Sequence, residues 1–326
     1  MERYNSFVGY FKKKYGERLQ KVVIDAGFTC PNRDGRVGRG GCTYCDNAAF
    51  HPSYSHPGKD ILVQIDEGIE FHRQRYRNAK HFLAYFQSFS NTYAPVERLR
   101  ELYERALSHP ATVGIVIGTR PDCVDGEVLD LLEELSRKHI VIVEYGIESC
   151  LDRTLERINR GHDFACAKRA VEMTAARGLE VGAHFILGLP GETREMMLES
   201  CALINALPLH SVKFHQLQLV KGTAMAREYS LHPEDFVQFT LEEYLDFFCD
   251  ILEHLRPDLY IERIAGEVPP RFVESTPWGL VRNAELLRYC RYLRLQEGEL
   301  RCLPGYRRSA FRADQENQSG LCCLRL

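Results

Sequence analysis

The chain has 326 residues, 44% of them hydrophobic, with 42 Lys and Arg against 45 Asp and Glu, a net charge of −3 and a pI near 6.5. Such a composition sustains a large core, and the length accommodates one α/β barrel or two domains. It offers no global attraction to nucleic acid, and no run of about 18 apolar residues exists to cross a membrane.

The opening "MERYNSFVGYFKKKYGERLQ" (1–20) has no apolar centre and no small-residue cleavage site. It reads as a helical, basic lead-in and not a secretory signal, so the expected location is cytoplasmic. "KVVIDA" (21–26) is expected as a short strand running straight into a loop rich in Gly, Arg and Cys. Ile61, Ile65, Ile69 and Tyr76 recur at helical spacing, and "HFLAYF" (81–86) reads as a strand. Helix "PVERLRELYERAL" (95–107), strand "TVGIVIG" (112–118), helix "GEVLDLLEELSRK" (126–138) and strand "IVIVEYGI" (140–147) follow. A helical stretch at 164–177 then leads to "EVGAHFILG" (180–188), and a helix at 192–206 leads to "VKFHQLQL" (212–219).

Six successive β/α units imply a parallel sheet with right-handed crossovers. Polar residues gather at the strand ends, and no dinucleotide-type glycine fingerprint follows the first strand. The expected fold is therefore α/β, a partial (β/α)6 TIM-type barrel over 21–220. Beyond it the rhythm changes. A helix (239–255), a strand "LYIERIA" (259–265) and an Arg-rich helix (281–296) are expected to form an α/β extension, 221–304, packed on the barrel. Residues 305–326 read as a disordered tail. From 257 onward the chain carries many Arg and no Lys, which fits either a solvated helical surface or phosphate contacts.

Three of the twelve cysteines, Cys30, Cys42 and Cys45, sit on "TCPNRDGRVGRGGCTYC", too polar and glycine-rich a segment to bury them as core. The other nine read as small core residues; Cys290 and Cys302 repeat the spacing of Cys30 and Cys42, but position 305 is Gly. Clustered thiols in such a chain point to metal binding. A four-iron cluster or a structural zinc takes four protein ligands, so three leave one metal position open. Zinc would need a fourth ligand, for which His51 is the nearest candidate. The loop follows a strand's C-terminal end, where barrel active sites sit.

This loop resembles the cluster-binding loop of the radical S-adenosylmethionine (SAM) superfamily, in the wider spacing of its YhcC/YtqA subgroup. "DAGFTCPNRDG" (25–35), "FQSFSNTYAP" (86–95), "IGTRPDCV" (117–124), "RINRGHDFACAKRAV" (157–171), "HFILGLPGETREMM" (184–197) and "VKFHQLQLVKGT" (212–223) carry the likeness across residues 3–256. The resemblance implies that Cys30, Cys42 and Cys45 hold a [4Fe–4S] cluster whose open iron chelates SAM, with Tyr44 against the adenine. An electron from a flavodoxin- or ferredoxin-like donor would split SAM into methionine and a 5′-deoxyadenosyl radical, which abstracts hydrogen from the substrate.

By the same resemblance, Gln87, Ser88, Ser90 and Asn91 are candidates for the methionine amino group, with turn capping as the alternative for each. Glu144, Gly146 and Glu148 share one strand face, and an inward carboxylate needs donors, which ribose hydroxyls or an ammonium would supply. The subgroup is expected to carry Gln where Glu148 stands. Ser149 is a further ribose candidate or a helix N-cap. Arg160 is expected to aim at the cofactor's carboxylate, and Gly188 and Gly191, around Pro190, to let backbone approach the adenine. Arg120, Lys213 and His215 are expected on the substrate side as catalytic groups, with Asp122 and His184 nearby.

The barrel also resembles the catalytic subunit of the elongator complex, so tRNA is the expected partner, at the position-5 side arm of its wobble uridine. The basic segments "FKKKYGERLQK" (11–21) and "HRQRYRNAK" (72–80) are compatible with phosphate contacts. Two other readings stay open. One is a radical SAM enzyme for a small molecule or peptide, with Lys213 and Arg120 gripping a carboxylate. The other is a non-catalytic RNA-binding protein bearing zinc or a cluster.

Overall fold

A computed structural model describes residues 4–46, 49, 51–73, 79–274, 278 and 286, and the backbone of 293–296 and 299–302. Seven parallel strands lie in the order in which the chain makes them: β1 (Gln20–Ile24), β2 (Phe82–Phe86), β3 (Thr112–Thr119), β4 (Ile140–Glu148), β5 (Glu180–Leu187), β6 (Ser211–Gln216) and β7 (Tyr260–Arg263). The sheet curls into a partial barrel of the TIM type. Sequential parallel neighbours require crossovers. Those between β2 and β6 are helical: α4 (Val96–Leu107), α5 (Gly126–Ser136), α6 (Asp152–Arg157) with α7 (Phe164–Ala175), and α8 (Arg194–Asn205). α3 (Ile61–Arg73) precedes β2, and α9 (Ala224–Leu231) with α10 (Leu241–His254) separates β6 from β7.

Strand periodicity sorts the residues. Ile24, Ala84, Phe86, Ile115, Ile117, Val143, Val181 and Phe214 point outward into the main core beneath the helices. The opposite parity points inward. There Leu83, Tyr85, Val116 and Ile142 meet Phe7, Tyr10 and Phe11 of α1 (Phe7–Tyr15), which plugs the N-terminal end of the barrel. Higher in the same interior the residues turn polar. Lys21 stands on β1, Glu144 on β4, His184 on β5 and Lys213 on β6. A core below and charge above leave the C-terminal ends of the strands as the functional end.

β7 was expected inside the C-terminal extension; instead it pairs with β6 and continues the barrel sheet. The Arg-rich helix expected at 281–296 is not continuous: Leu293–Gln296 (β8) pairs antiparallel with Glu299–Cys302 (β9). Tyr76 and the expected tail at 305–326 lie outside the described residues. Two of the cations in "FKKKYGERLQK" are already paired. Lys14 pairs with Glu180 at 2.6 Å at the plugged end of the barrel, and Lys21 pairs with Glu144 at 2.5 Å inside it.

Candidate functional site

Cys30, Cys42 and Cys45 line one pocket at the C-terminal ends of the strands, opposite residues of β2 to β7. Cys30 precedes the one-turn helix α2 (Pro31–Asp34), where Pro31 takes the first position and Gly35 ends the turn with φ 97°. Cys45 closes a tight turn through its amide to the Cys42 carbonyl, 3.0 Å. The loop is clamped to the segment after α6. Thr43 donates to the Ile158 carbonyl (3.0 Å), Asn32 Nδ2 to the Asn159 carbonyl (2.5 Å) and Asn159 Nδ2 to the Gly41 carbonyl (2.8 Å).

Cations are aimed at the thiol loop. Arg160 Nη1 lies 3.4 Å from Cys42 Sγ and Asn32 Nδ2 lies 3.6 Å from it, while Arg33 donates to the Cys45 carbonyl at 2.8 Å. Burial pushes the Cys45 thiol up against the pull of Arg33, so metal uptake there must release a proton. Tyr44 lies in the pocket wall, its ring packed towards Leu155, Ile158 and Leu189. Burial, then Cys42 and Glu148, keep its phenol neutral.

The candidates at the end of β2 divide. Gln87 lines the pocket, as does Phe89, whose φ of 62° places a non-glycine residue in the left-handed region. Ser88 bonds His51 at 2.7 Å, Ser90 bonds Thr119 at 3.0 Å, and Asn91 donates to the carbonyls of Phe86 and Gly118. These three tie strand ends together and do not line the pocket. His51, the fourth ligand a zinc site would need, is held by Ser88 and lies 3.5 Å from Asp25.

Glu144 does not wait for ribose or a ligand ammonium. Its carboxylate takes Lys21 and Lys213, each at 2.5 Å, and His184 at 3.0 Å. Glu262 on β7 bridges the same lysines at 2.6 and 3.1 Å. Burial favours the neutral acid, but the lysines and His184 outweigh it and hold Glu144 well below the usual carboxylate range. Lys213 is thereby consumed, with Tyr85 as its further partner at 3.3 Å. Arg120 is consumed as well, its fork closed on Asp122 by two bonds of 2.8 Å. Neither is free to grip a carboxylate with its whole head group.

Glu148 follows a register shift in β4, has φ 73° and lies 3.8 Å from Arg160. Ser149 turns away from the pocket: it donates to Glu192 at 2.5 Å and accepts from the Leu151 amide, two residues on. Gly188 and Gly191 do adopt positive φ, 87° and 80°. A side chain there would meet the Val237 carbonyl and Arg157, so these glycines fit the turn against the segment before α10 and not against the pocket. His215 lines the pocket and is held well below its ordinary value by burial, then by Arg263, His184 and Lys213. Lys21, Tyr85, Glu262 and Arg263 escaped the sequence reading. The available signal was a charge inside an otherwise strand-like run: Lys21 in "QKVVI", and Glu262 and Arg263 in "YIER".

The residues present fit a cluster and its sulfonium ligand. Three thiols face one cavity, and Arg160 Nε and Arg120 Nη1 are buried there with no hydrogen-bond partner, two donors suited to an anionic group. Among the described residues no three His, Cys, Asp or Glu side chains converge on a single metal ion, whereas a cluster spreads its thiolates over separate irons.

A curled parallel sheet with a three-cysteine loop over its mouth defines a radical SAM protein. Residues 32–204 match the family described as Radical SAM superfamily, and residues 209–293 match the Radical_SAM C-terminal domain. The chain belongs to the radical SAM superfamily, whose cofactors are a [4Fe–4S] cluster and SAM. It is 36% identical to the uncharacterized protein YtqA of Bacillus subtilis over 279 residues, 86% of each chain. It is 24% identical over 172 residues to a tRNA uridine(34) acetyltransferase of Dehalococcoides mccartyi, covering 50% of this chain and 35% of that one. The archaeal Elp3 of Methanocaldococcus infernus, with its N-terminus deleted, shares the fold at a TM-score of 0.62 and 17% identity; the match covers 83% of this chain and 61% of that longer one. No described helix is long and apolar enough to cross a membrane.

Proposed function

We propose that this radical SAM enzyme modifies the position-5 side arm of wobble uridine in tRNA, with Cys30, Cys42 and Cys45 as its cluster ligands. The observation that carries the ligand assignment is the placement of those thiols on one clamped loop facing a polar pocket. When bound, the cluster and SAM supply reductive cleavage of the sulfonium and a carbon-centred radical that abstracts hydrogen from substrate. The chain's own groups position the reactants and exclude water. Arg160, with a free Nε and its other nitrogens on Cys42 and the Gly146 carbonyl, receives the cofactor carboxylate. Gln87 takes the amino group, and Tyr44 flanks the adenine.

A single electron must arrive from outside, from a flavodoxin- or ferredoxin-like donor docking near the loop. The tRNA reading draws support from the relative named for uridine 34 of tRNA, over half of this chain. The small-molecule or peptide reading, with a grip by Lys213 and Arg120, loses ground because both are internally paired. The zinc-binder reading loses ground through His51.

Two measurements test the proposal. Anaerobically reconstituted protein given SAM and dithionite is expected to release 5′-deoxyadenosine, and Cys42→Ala to release none while keeping its far-UV circular dichroism. Release by that variant at the normal rate would remove Cys42 from the ligand set. Mass spectrometry of wobble nucleosides, with and without the gene, is expected to show one modified uridine depleted; identical profiles would sink the tRNA assignment.

A further inference from the structure

We propose that Arg263 receives an anionic group of the substrate, a carboxylate or a phosphate, at the β6–β7 wall of the pocket. The inference rests on the reading of this pocket as the place where substrate meets cofactor.

It begins with a register shift. Val212 lies opposite Ile261, yet Lys213 lies opposite Arg263, so Glu262 is an extra residue in β7. Regular alternation would send residues 262 and 263 to opposite faces of the sheet. The bulge brings both inward: Glu262 binds Lys21 and Lys213, while Arg263 lines the pocket. Bulges re-aim side chains in this way beside active sites.

The other cations in the wall have partners. Lys213 is held by Glu144, Arg120 by Asp122, Arg160 by the Gly146 carbonyl, and Arg33 by the Cys45 carbonyl. The Arg263 side chain makes no hydrogen bond or ion pair with any described residue, although it is only partly exposed. The carboxylate beside it in sequence, Glu262, is already taken by two lysines. A half-buried guanidinium left without an acceptor is costly, and its planar fork matches carboxylate or phosphate.

The neighbourhood completes the subsite. His215 and Gln218 line the same wall and make no side-chain hydrogen bond with any described residue. Gly266 leaves room for the His215 ring, since a Cβ there would fall 2.9 Å from Nδ1. A neutral imidazole and a carboxamide beside one cation suit the uncharged edges of an anionic guest.

The test follows phenylglyoxal modification of Arg263 by peptide mass spectrometry in reconstituted holoenzyme, at matched ionic strength. The probes are sodium acetate, inorganic phosphate and SAM, each against chloride. Arg263 is expected to react readily in chloride and about threefold more slowly with a saturable anion near twice its dissociation constant. Protection by phosphate alone assigns a phosphoryl-bearing substrate, and protection by acetate a carboxylate-bearing one. No protection by either anion, or an unreactive Arg263 in chloride, overturns the proposal; so does protection by SAM alone, which would give the arginine to the cofactor. Protection with an unchanged wobble-nucleoside profile keeps the subsite and removes tRNA as substrate, while the converse keeps tRNA and removes the subsite.

Discussion

At the scale of single residues, Glu144 shows what sequence reading reaches and where it stops. Period-two alternation exposed an inward carboxylate, and burial demanded partners for it. Those partners could not be read, because Lys21 stands 123 positions away and Lys213 stands 69 away. Only the curl of the sheet brings them together. Glu144→Gln is expected to cost about 3–5 kcal/mol by leaving buried ammonium groups uncompensated, read from urea unfolding midpoints; adding Lys213→Met should recover part of the loss. Because the folded carboxyl titrates below its unfolded value, its contribution is complete above the ordinary carboxylate range. It drains away as pH falls through the lower folded value, so the gap between wild type and Glu144→Gln should narrow in acid. Gly146 makes a second residue-scale case. A Cβ there would lie 2.5 Å from Glu148 Oε1 and 2.9 Å from Arg160 Nη2. Gly146→Ala is expected to push Arg160 aside and weaken SAM binding roughly tenfold, about 1.4 kcal/mol, with thermal stability little changed. Equilibrium dialysis measures the first and calorimetry the second.

At the scale of elements, alternating patterns located six strands of the barrel, with the first centred on "KVVI" and the sixth ending at Gln216, three residues before its expected limit. What escaped was pairing and not propensity. "YIER" reads as a strand anywhere; that it joins β6 depends on α10 turning the chain back. α10 is fixed at its start by a capping box, Thr240 with Glu243, and buries Leu241, Tyr244, Phe247, Phe248 and Ile251 among others. Thr240→Ala is expected to cost about 1 kcal/mol, visible as a lower melting temperature, with the Tyr244-to-Ile264 contact that supports β7 loosened in hydrogen exchange. The bulges in β4 and β7 were illegible for a plain reason. One extra residue leaves the hydrophobic period almost intact while reversing which side chain faces inward.

At the scale of the whole molecule, neutral, half-buried histidines contribute to the pH response. His215 and His210 are held below the ordinary imidazole value, chiefly by burial, and His162 is lowered to about 3 by burial and Arg160. The unfolded chain takes up those protons first, so stability is expected to fall as pH drops below about 6.5. Urea midpoints at stepped pH values, compared with His215→Gln, would isolate one contribution; parallel curves would show that His215 has none.

The sheet's ladder runs from β1 to β7 without joining its two edges. The gap is bridged at the plugged end by the Ile261 amide on the Asn5 carbonyl at 2.8 Å, and above it by Lys21 on Glu262. A fully laddered barrel has its bore dictated by strand number and stagger. Here the circuit is closed by α1 at the base and by the thiol loop at the rim, where Thr43 donates to the Ile158 carbonyl and accepts from the Met225 amide at 2.9 Å. The width of the mouth is therefore set by those few fastenings and not by strand number and stagger.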